Sequence, residues 1–433
     1  MNVHDGERMA GLLEQAGFEA TADPGDADVI VVNTCSVRER AEEKLFTRLG
    51  EFREAATAAG RTPVIAVAGC VAQQEGAALL KRSRSIDVIV GTQSLKQLPM
   101  LVTKALDERD DRRPLVDINP YEDVSFPLGL TQRHDTVKAY VTIIEGCNDF
   151  CAFCVVPYTR GHERMRASAE ILAEVRDAVA RGHREIHLLG QIVNHYQAPD
   201  DATCDFTALL ERVHEIPGVE RIRFASPHPR HVTRRLIEAY RDLPRLCRHL
   251  HMPVQSGSTR VLTAMRRRYT CERYLELVDE LREAVPGIAV STDLIVGFPG
   301  ETAADFDETL SLVERVRFSS IFSFKYSPRP RTLAITRMPD DVPEADKTSR
   351  IVALQALQRD IQWELHREAV GRVESVLIDA TSRRRDEDVS GRTTGNTVVN
   401  MPGEAAWLGK LADVRITDAA PNSLRGEVIT VEL

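Results

Sequence analysis

"KAYVTIIEGCNDFCAFCVVPYTRG", residues 138–161, decides how the rest of the chain is to be read. An apolar run rich in Val and Ile leads to Gly146, and Cys147, Cys151 and Cys154 follow at once. Runs of this kind fill buried parallel strands, so the three thiols stand where a strand gives way to a loop. Zinc usually takes four ligands in paired C-x2-C form, and the sequence has no second such pair. Ferredoxin-type clusters use four cysteines, yet the next thiol, Cys204, lies fifty residues beyond Cys154. Three cysteines on one loop leave one iron of a [4Fe–4S] cluster without a protein ligand. Such an iron is a place for a small molecule to chelate.

Outward from this loop, composition excludes several classes. In 433 residues no apolar run approaches the roughly 20 needed to span a bilayer. The opening MNVHDGERMAGLLEQ lacks the apolar core of a signal peptide. A cytoplasmic location is expected, where the eight cysteines stay reduced and a cluster of them points to metal or catalysis. The net charge of −9 means that any RNA site must be a local basic patch.

The pattern divides the chain into residues 1–106, 133–369 and 371–433. The first block is a small α/β sheet domain. Met9, Leu12, Leu13 and Ala16 follow helical spacing with Gly17 as the stop, and "DVIVVNTC" (28–35), "PVIAVAGC" (63–70) and "IDVIVG" (86–91) are parallel strands. The charged, proline-bearing stretch 107–127 is expected to be a linker. In the second block six strand candidates alternate with helical stretches: "KAYVTII", "EIHLLG", "RIRFAS", "HLHMPV", "GIAVSTDLIVG" and "SIFSFKYS". That alternation predicts a partial (β/α) barrel, with functional groups where strands end. A single helix is expected over 344–370, followed by "VESVLIDAT", "TVVNMP", "ADVRITDA" and "GEVITVEL", the closely spaced short strands of a small β-barrel.

The three-cysteine loop, with Phe153 just before its last thiol, resembles that of the radical S-adenosylmethionine (SAM) enzymes. "EGCNDFCAFCVVPYTRGHERMR", "LLGQIVNHY" (188–196), "HLHMPVQSGSTRVLTAMRRRYT" (249–270), "STDLIVGFPGET" (291–302) and "YSPRP" (326–330) narrow it to the MiaB-type tRNA methylthiotransferases. This resemblance implies a central radical SAM core whose Cys147, Cys151 and Cys154 hold a [4Fe–4S] cluster. Its open iron would bind the amino and carboxylate groups of SAM, whose reductive cleavage yields a 5′-deoxyadenosyl radical. It implies methylthiolation of an isopentenylated adenosine beside the anticodon. The alternative is a sister enzyme acting on threonylcarbamoyladenosine tRNA or on a ribosomal protein. From another class, an iron–sulfur RNA-binding or electron-transfer protein would cleave no SAM.

By the same resemblance Phe153, Gly190, Gln191, Asp293, Gly297 and Glu301 contact SAM. Gln255 and Ser256 are further candidates, and Arg160, Arg164 and Arg166 could meet the SAM carboxylate or a tRNA phosphate. No catalytic residue is expected beyond the cluster ligands. Where the family usually carries Gly–Thr–Pro, this chain reads "RPRTLAI" (329–335), a departure expected to lie outside the cluster site.

Cys35 and Cys70 each close a predicted parallel strand, the end at which open α/β sheets bind ligands. The resemblance makes them ligands of an auxiliary [4Fe–4S] cluster whose third cysteine would end an earlier strand. The expectation is that a strand and a cysteine precede Met1. Cys204, Cys247 and Cys271 are expected to be structural. Residues 371–433 resemble the TRAM domain, a small RNA-binding β-barrel, and Arg383, Arg384 and Arg385 would supply phosphate contacts. Implied partners are tRNA, a low-potential electron donor (flavodoxin or ferredoxin) and a sulfur donor, with no membrane, for a monomer.

Overall fold

The apolar runs of the first block form parallel strands β1 (Val29–Thr34), β2 (Val64–Gly69) and β3 (Val88–Val90) in a computed structural model. It describes residues 1–35, 39–108, 113–119, 130–382 and 387–432. β2 is buried along its whole length, as expected for a strand covered on both faces. A fourth strand, β4 (Leu115–Asp117), pairs in parallel with β3. The expected linker is therefore part of the sheet where three of its residues are less charged, while 109–112 and 120–127 lie outside the described residues.

The helix Asn2–Gln15 departs further from its pattern. Met9 is buried, but the face turned inward is mostly polar: His4, Asp5, Glu7 and Arg8 are all enclosed. Each meets the second block or stands near it. The His4 Nδ1 lies 2.7 Å from Thr142 Oγ1, Arg8 donates to Glu145 Oε1 at 2.9 Å, and Asp5 pairs with Arg160. The helix is a charged seam between the sheet and the barrel.

Buried histidines make stability depend on pH, His4 in this seam among them. Burial, aided by the Arg8 charge, pulls His4 down to about 4, and burial with Arg223 nearby pulls His249 down to about 3. The unfolded chain accepts those protons near 6.5, so it binds more of them than the folded chain as pH falls from 6.5 towards 4. Stability is lost in that window. Glu7 is pushed up to about 7 by burial against the pull of Arg133. It binds its proton in the folded state first and opposes the loss between 4.5 and 7. Burial also lowers His228 and His231, so the one carboxyl is outweighed by several histidines; urea midpoints should fall from pH 6.5 to 4, and fall more steeply in Glu7→Gln. A midpoint that rises on acidification would refute this account.

The second block builds β5 (Lys138–Thr142), the short pair β6 (Ile144–Glu145) and β7 (Arg164–Met165), β8 (Glu185–Leu189) and β9 (Arg221–Phe224). It continues with β10 (His249–His251), β11 (Ala289–Val296) and β12 (Ser320–Lys325). β5, β8 and β9 form one parallel sheet, and β10, β11 and β12 another. A parallel bridge from Ile222 to Leu246 joins the halves. The six predicted strands thus run in order around a partial barrel. Cys204, Cys247 and Cys271 are buried within this block. The helix Glu344–Ala369 then lies against β12, with Leu354 and Ile361 buried.

The last block closes a barrel in the order β13 (Val373–Thr381), β14 (Asp388–Thr393), β15 (Val398–Pro402), β17 (Ser423–Val431), β16 (Leu411–Ala420). β14 was hidden in the sequence by its glycine. A Cβ on Gly391 would come 2.3 Å from the Leu377 carbonyl oxygen, so close pairing with β13 requires glycine. The barrel is held by arginines of β9: Arg221 donates to Ser375 O and Arg223 to Thr393 O, both at 2.8 Å. Lys138 pairs with Asp379 beside them. Arg383, Arg384 and Arg385 lie outside the described residues. No described helix is long and apolar enough to cross a membrane.

Candidate metal centre

The three thiols occupy the loop between β6 and the short helix Val156–Thr159. Gly146 opens it at φ +81°, and a Cβ there would meet the His162 carbonyl oxygen at 2.1 Å. Glycine thus allows the loop to begin against the chain that closes it. Two groups already face the sulfurs: the Asp149 N–H lies 3.5 Å from Cys147 Sγ, and Arg267 Nη1 lies 3.5 Å from Cys151 Sγ. Arg267 is fully enclosed and also donates to Pro253 O. Nothing in the spacing of "MRRRY" singles out this arginine. Arg266 and Arg268, its neighbours, both adopt left-handed φ and are exposed.

Burial pushes the Cys147 thiol up to about 11 and that of Cys154 up to about 12. Left alone these thiols keep their protons; metal binding exchanges protons for the cation. No trio of His, Cys, Asp or Glu among the described residues closes on a single-ion site. A cluster distributes its thiolates over different irons, so three soft donors on one loop suit a cluster better than one hard or single ion.

Beside Cys154 opens a cavity of about 780 Å³, walled by Phe153, Gln255, Asp293, Phe322 and Tyr326. That is a small-molecule volume. Asp293 holds an oxygen 3.4 Å from His251 Nε2, and Gln255 takes a left-handed φ of +78° to bridge β11. Phe153 and Asp293 are therefore brought together with the loop. Gly190 ends β8 against Ile144, and the Gln191 Oε1 beside it is buried with no hydrogen-bond partner. That buried acceptor, beside the strand that enters the cysteine loop, is free to meet a polar group.

Gly297 and Glu301 do not line this cavity. The Lys347 side chain lies over Gly297, where a Cβ would come 2.3 Å from Lys347 Cγ. Glu301 accepts from the Gly297 N–H and from Arg350 Nη1 at 2.9 Å. Both residues brace the long helix. Arg160 and Arg166 are likewise committed elsewhere, to Asp5 and to Glu174 with Thr142 O. The "RPRTLAI" turn reaches the cysteine loop. Ala334 donates to Ala152 O at 2.8 Å, so this turn supports the cysteine loop directly. Arg331 stands there at φ +67°, a conformation that suits glycine.

Cys35 and Cys70 follow the paired residues Thr34 and Gly69, so both thiols leave neighbouring strands at one end of the sheet. Burial raises the Cys70 thiol, and the hydrogen-bonding Arg160 guanidinium opposes that rise. Arg160 comes from just beyond the three-cysteine loop, so one side chain links the two thiol sites.

A parallel half-barrel with three thiols after its first strand is the architecture of radical SAM enzymes, and the Radical SAM superfamily profile matches residues 141–313. The TRAM domain matches 367–429, and Uncharacterized protein family UPF0004 matches 1–91. The solved radical SAM methyltransferase TsrM of Kitasatospora setae shares this fold, with a TM-score of 0.56 at 16% identity. That alignment covers 87% of this chain and 78% of the other. Curated tRNA-2-methylthio-N(6)-dimethylallyladenosine synthases are much nearer. The one from Thiobacillus denitrificans (strain ATCC 25259 / T1) is 47% identical over 100% of this chain and 96% of its own. That of Halorhodospira halophila (strain DSM 244 / SL1) is 46% identical, covering 100% and 91%. The chain belongs to the family of tRNA-2-methylthio-N(6)-dimethylallyladenosine synthases.

Proposed function

We propose that this protein methylthiolates isopentenylated adenosine next to the anticodon of tRNA, in the cytoplasm, replacing the adenine C2 hydrogen by a methylthio group. The observation that carries the reading is the three-cysteine loop beside a cavity of small-molecule size, in a chain that matches synthases of this name along its length. Cys147, Cys151 and Cys154 would hold a [4Fe–4S] cluster. When bound, cluster and SAM supply the one-electron chemistry that activates the adenine C–H bond.

The chain's own residues prepare that site. Arg267 sets a fixed positive charge 3.5 Å from Cys151 Sγ. Phe153 and Asp293 shape the cavity wall for SAM, and Gln191 offers an unmatched acceptor to a cationic or N–H group. Cys35 and Cys70 are proposed ligands of a second, auxiliary [4Fe–4S] cluster, and Arg383, Arg384 and Arg385 contribute tRNA phosphate contacts. In this division of labour residues 1–106 carry the auxiliary site, 133–369 the SAM chemistry and 371–433 RNA affinity. A flavodoxin or ferredoxin supplies electrons, and a separate donor supplies sulfur.

Nucleoside mass spectrometry on tRNA from a deletion strain tests the reading. The methylthiolated nucleoside should vanish, its isopentenylated precursor should accumulate, and the gene restored on a plasmid should reverse both. Persistence of the methylthio nucleoside in the deletion strain would rule the assignment out.

A further inference from the structure

Most large aromatic side chains of this protein are covered, but the outer side of the cysteine loop presents a group that is not. Phe150 and Tyr158 are 39% and 38% exposed, with rings 6.1 Å apart and nearly perpendicular. The exposed His162 ring lies 6.2 Å from Phe150. Phe150 stands at φ +47°, a left-handed conformation that bulky residues avoid. Strain of this kind gathers at functional sites. Cations border the rings. Arg230 and Arg268 reach the Asp149 carboxylate, one residue before Phe150, at 2.9 and 3.9 Å. The Arg268 side chain is 58% exposed. In a chain of net charge −9, two guanidinium groups against the single Asp149 carboxylate leave a local excess of positive charge beside the loop that carries the rings.

We infer that Phe150, Tyr158 and His162 form a stacking platform for an unpaired nucleobase, with Arg268 and Arg230 facing the adjoining phosphates. The inference rests on the proposed tRNA reading and adds to it where a base would sit. Bases of single-stranded loops splay onto aromatic faces, and stacking is tolerant of sequence because every base has a π-face. The platform is built on the loop that bears Cys147 and Cys151. A base stacked there is held next to the metal centre, as a nucleotide flanking the reacting adenine must be.

The test uses the iron-loaded, full-length protein and an isopentenylated anticodon stem-loop RNA, with binding followed by fluorescence anisotropy across a salt series. Phe150→Ala and Tyr158→Ala should each weaken binding about tenfold. Phe150→Trp should restore it. Their salt slopes should match that of the parent, because stacking releases no counterions, whereas Arg268→Ala should flatten the slope by about one unit. Iron content shows whether the cysteine loop survives each change. If Phe150→Ala loses iron, Tyr158→Ala carries the comparison from the neighbouring helix. Unchanged affinity in Tyr158→Ala overturns the platform and leaves the tRNA reading standing, even if reduction by a protein electron donor has slowed. Failure of the parent protein to bind the RNA at all overturns both.

Discussion

Cys154→Ala is expected to abolish SAM cleavage, a loss well beyond about a hundredfold, and the same result is expected for Cys147→Ala and Cys151→Ala. The three thiols are the whole protein share of the proposed cluster, and two cannot hold it in register. Cys154 also borders the cavity where SAM would sit, so its loss removes a ligand and a wall together. Arg267→Met supplies the contrast. It keeps every thiol and removes only the guanidinium at 3.5 Å from Cys151, so it should cost about ten- to a hundredfold. The measurements are iron per chain and 5′-deoxyadenosine formed under reducing conditions. Substantial 5′-deoxyadenosine from any of the three cysteine variants would sink the radical SAM assignment of this loop.

Arg160→Met should have the second largest effect, on the seam rather than on the chemistry. Arg160 and Asp5 are both enclosed, so removing the guanidinium strands a carboxylate in a place with little water. Breaking one half of a buried pair costs about 3–5 kcal/mol, whereas replacing both halves with apolar groups is often neutral. Hydrogen exchange in the helix Asn2–Gln15 should therefore speed up strongly in Arg160→Met and return most of the way in Asp5→Leu/Arg160→Met. Equal protection in all three proteins would show that the pair does not hold the seam.

The sequence pattern revealed the elements whose signal is local. Six parallel strands were legible because Val and Ile runs recur between helical stretches, and the thiol loop because its spacing excludes four-ligand sites. The seam was not. Hydrophobic periodicity looks for apolar residues, and the first helix buries His4, Asp5, Glu7 and Arg8, whose partners lie more than a hundred residues away. β4 and β14 were missed for related reasons: one is three residues among charges, and the other contains the glycine that its close pairing needs. The pairing of Glu301 with Arg350 was not legible because Arg350 sits on a helix some fifty residues later. Arg267 could not be told from Arg266 and Arg268 by composition. Only the fold decides which of three adjacent arginines turns inward.

The joint between half-barrel and terminal barrel has a consequence for how such proteins can diversify. Arg221 and Arg223 grip Ser375 and Thr393 by their carbonyl oxygens, which every amino acid carries. Apart from Asp379, which answers Lys138, and the Ser375 hydroxyl, which Arg221 also reaches at 3.4 Å, these contacts read main chain rather than side-chain identity. The terminal barrel can therefore exchange its outward residues while remaining seated. Selection, or an engineer, could refit that module without renegotiating its attachment.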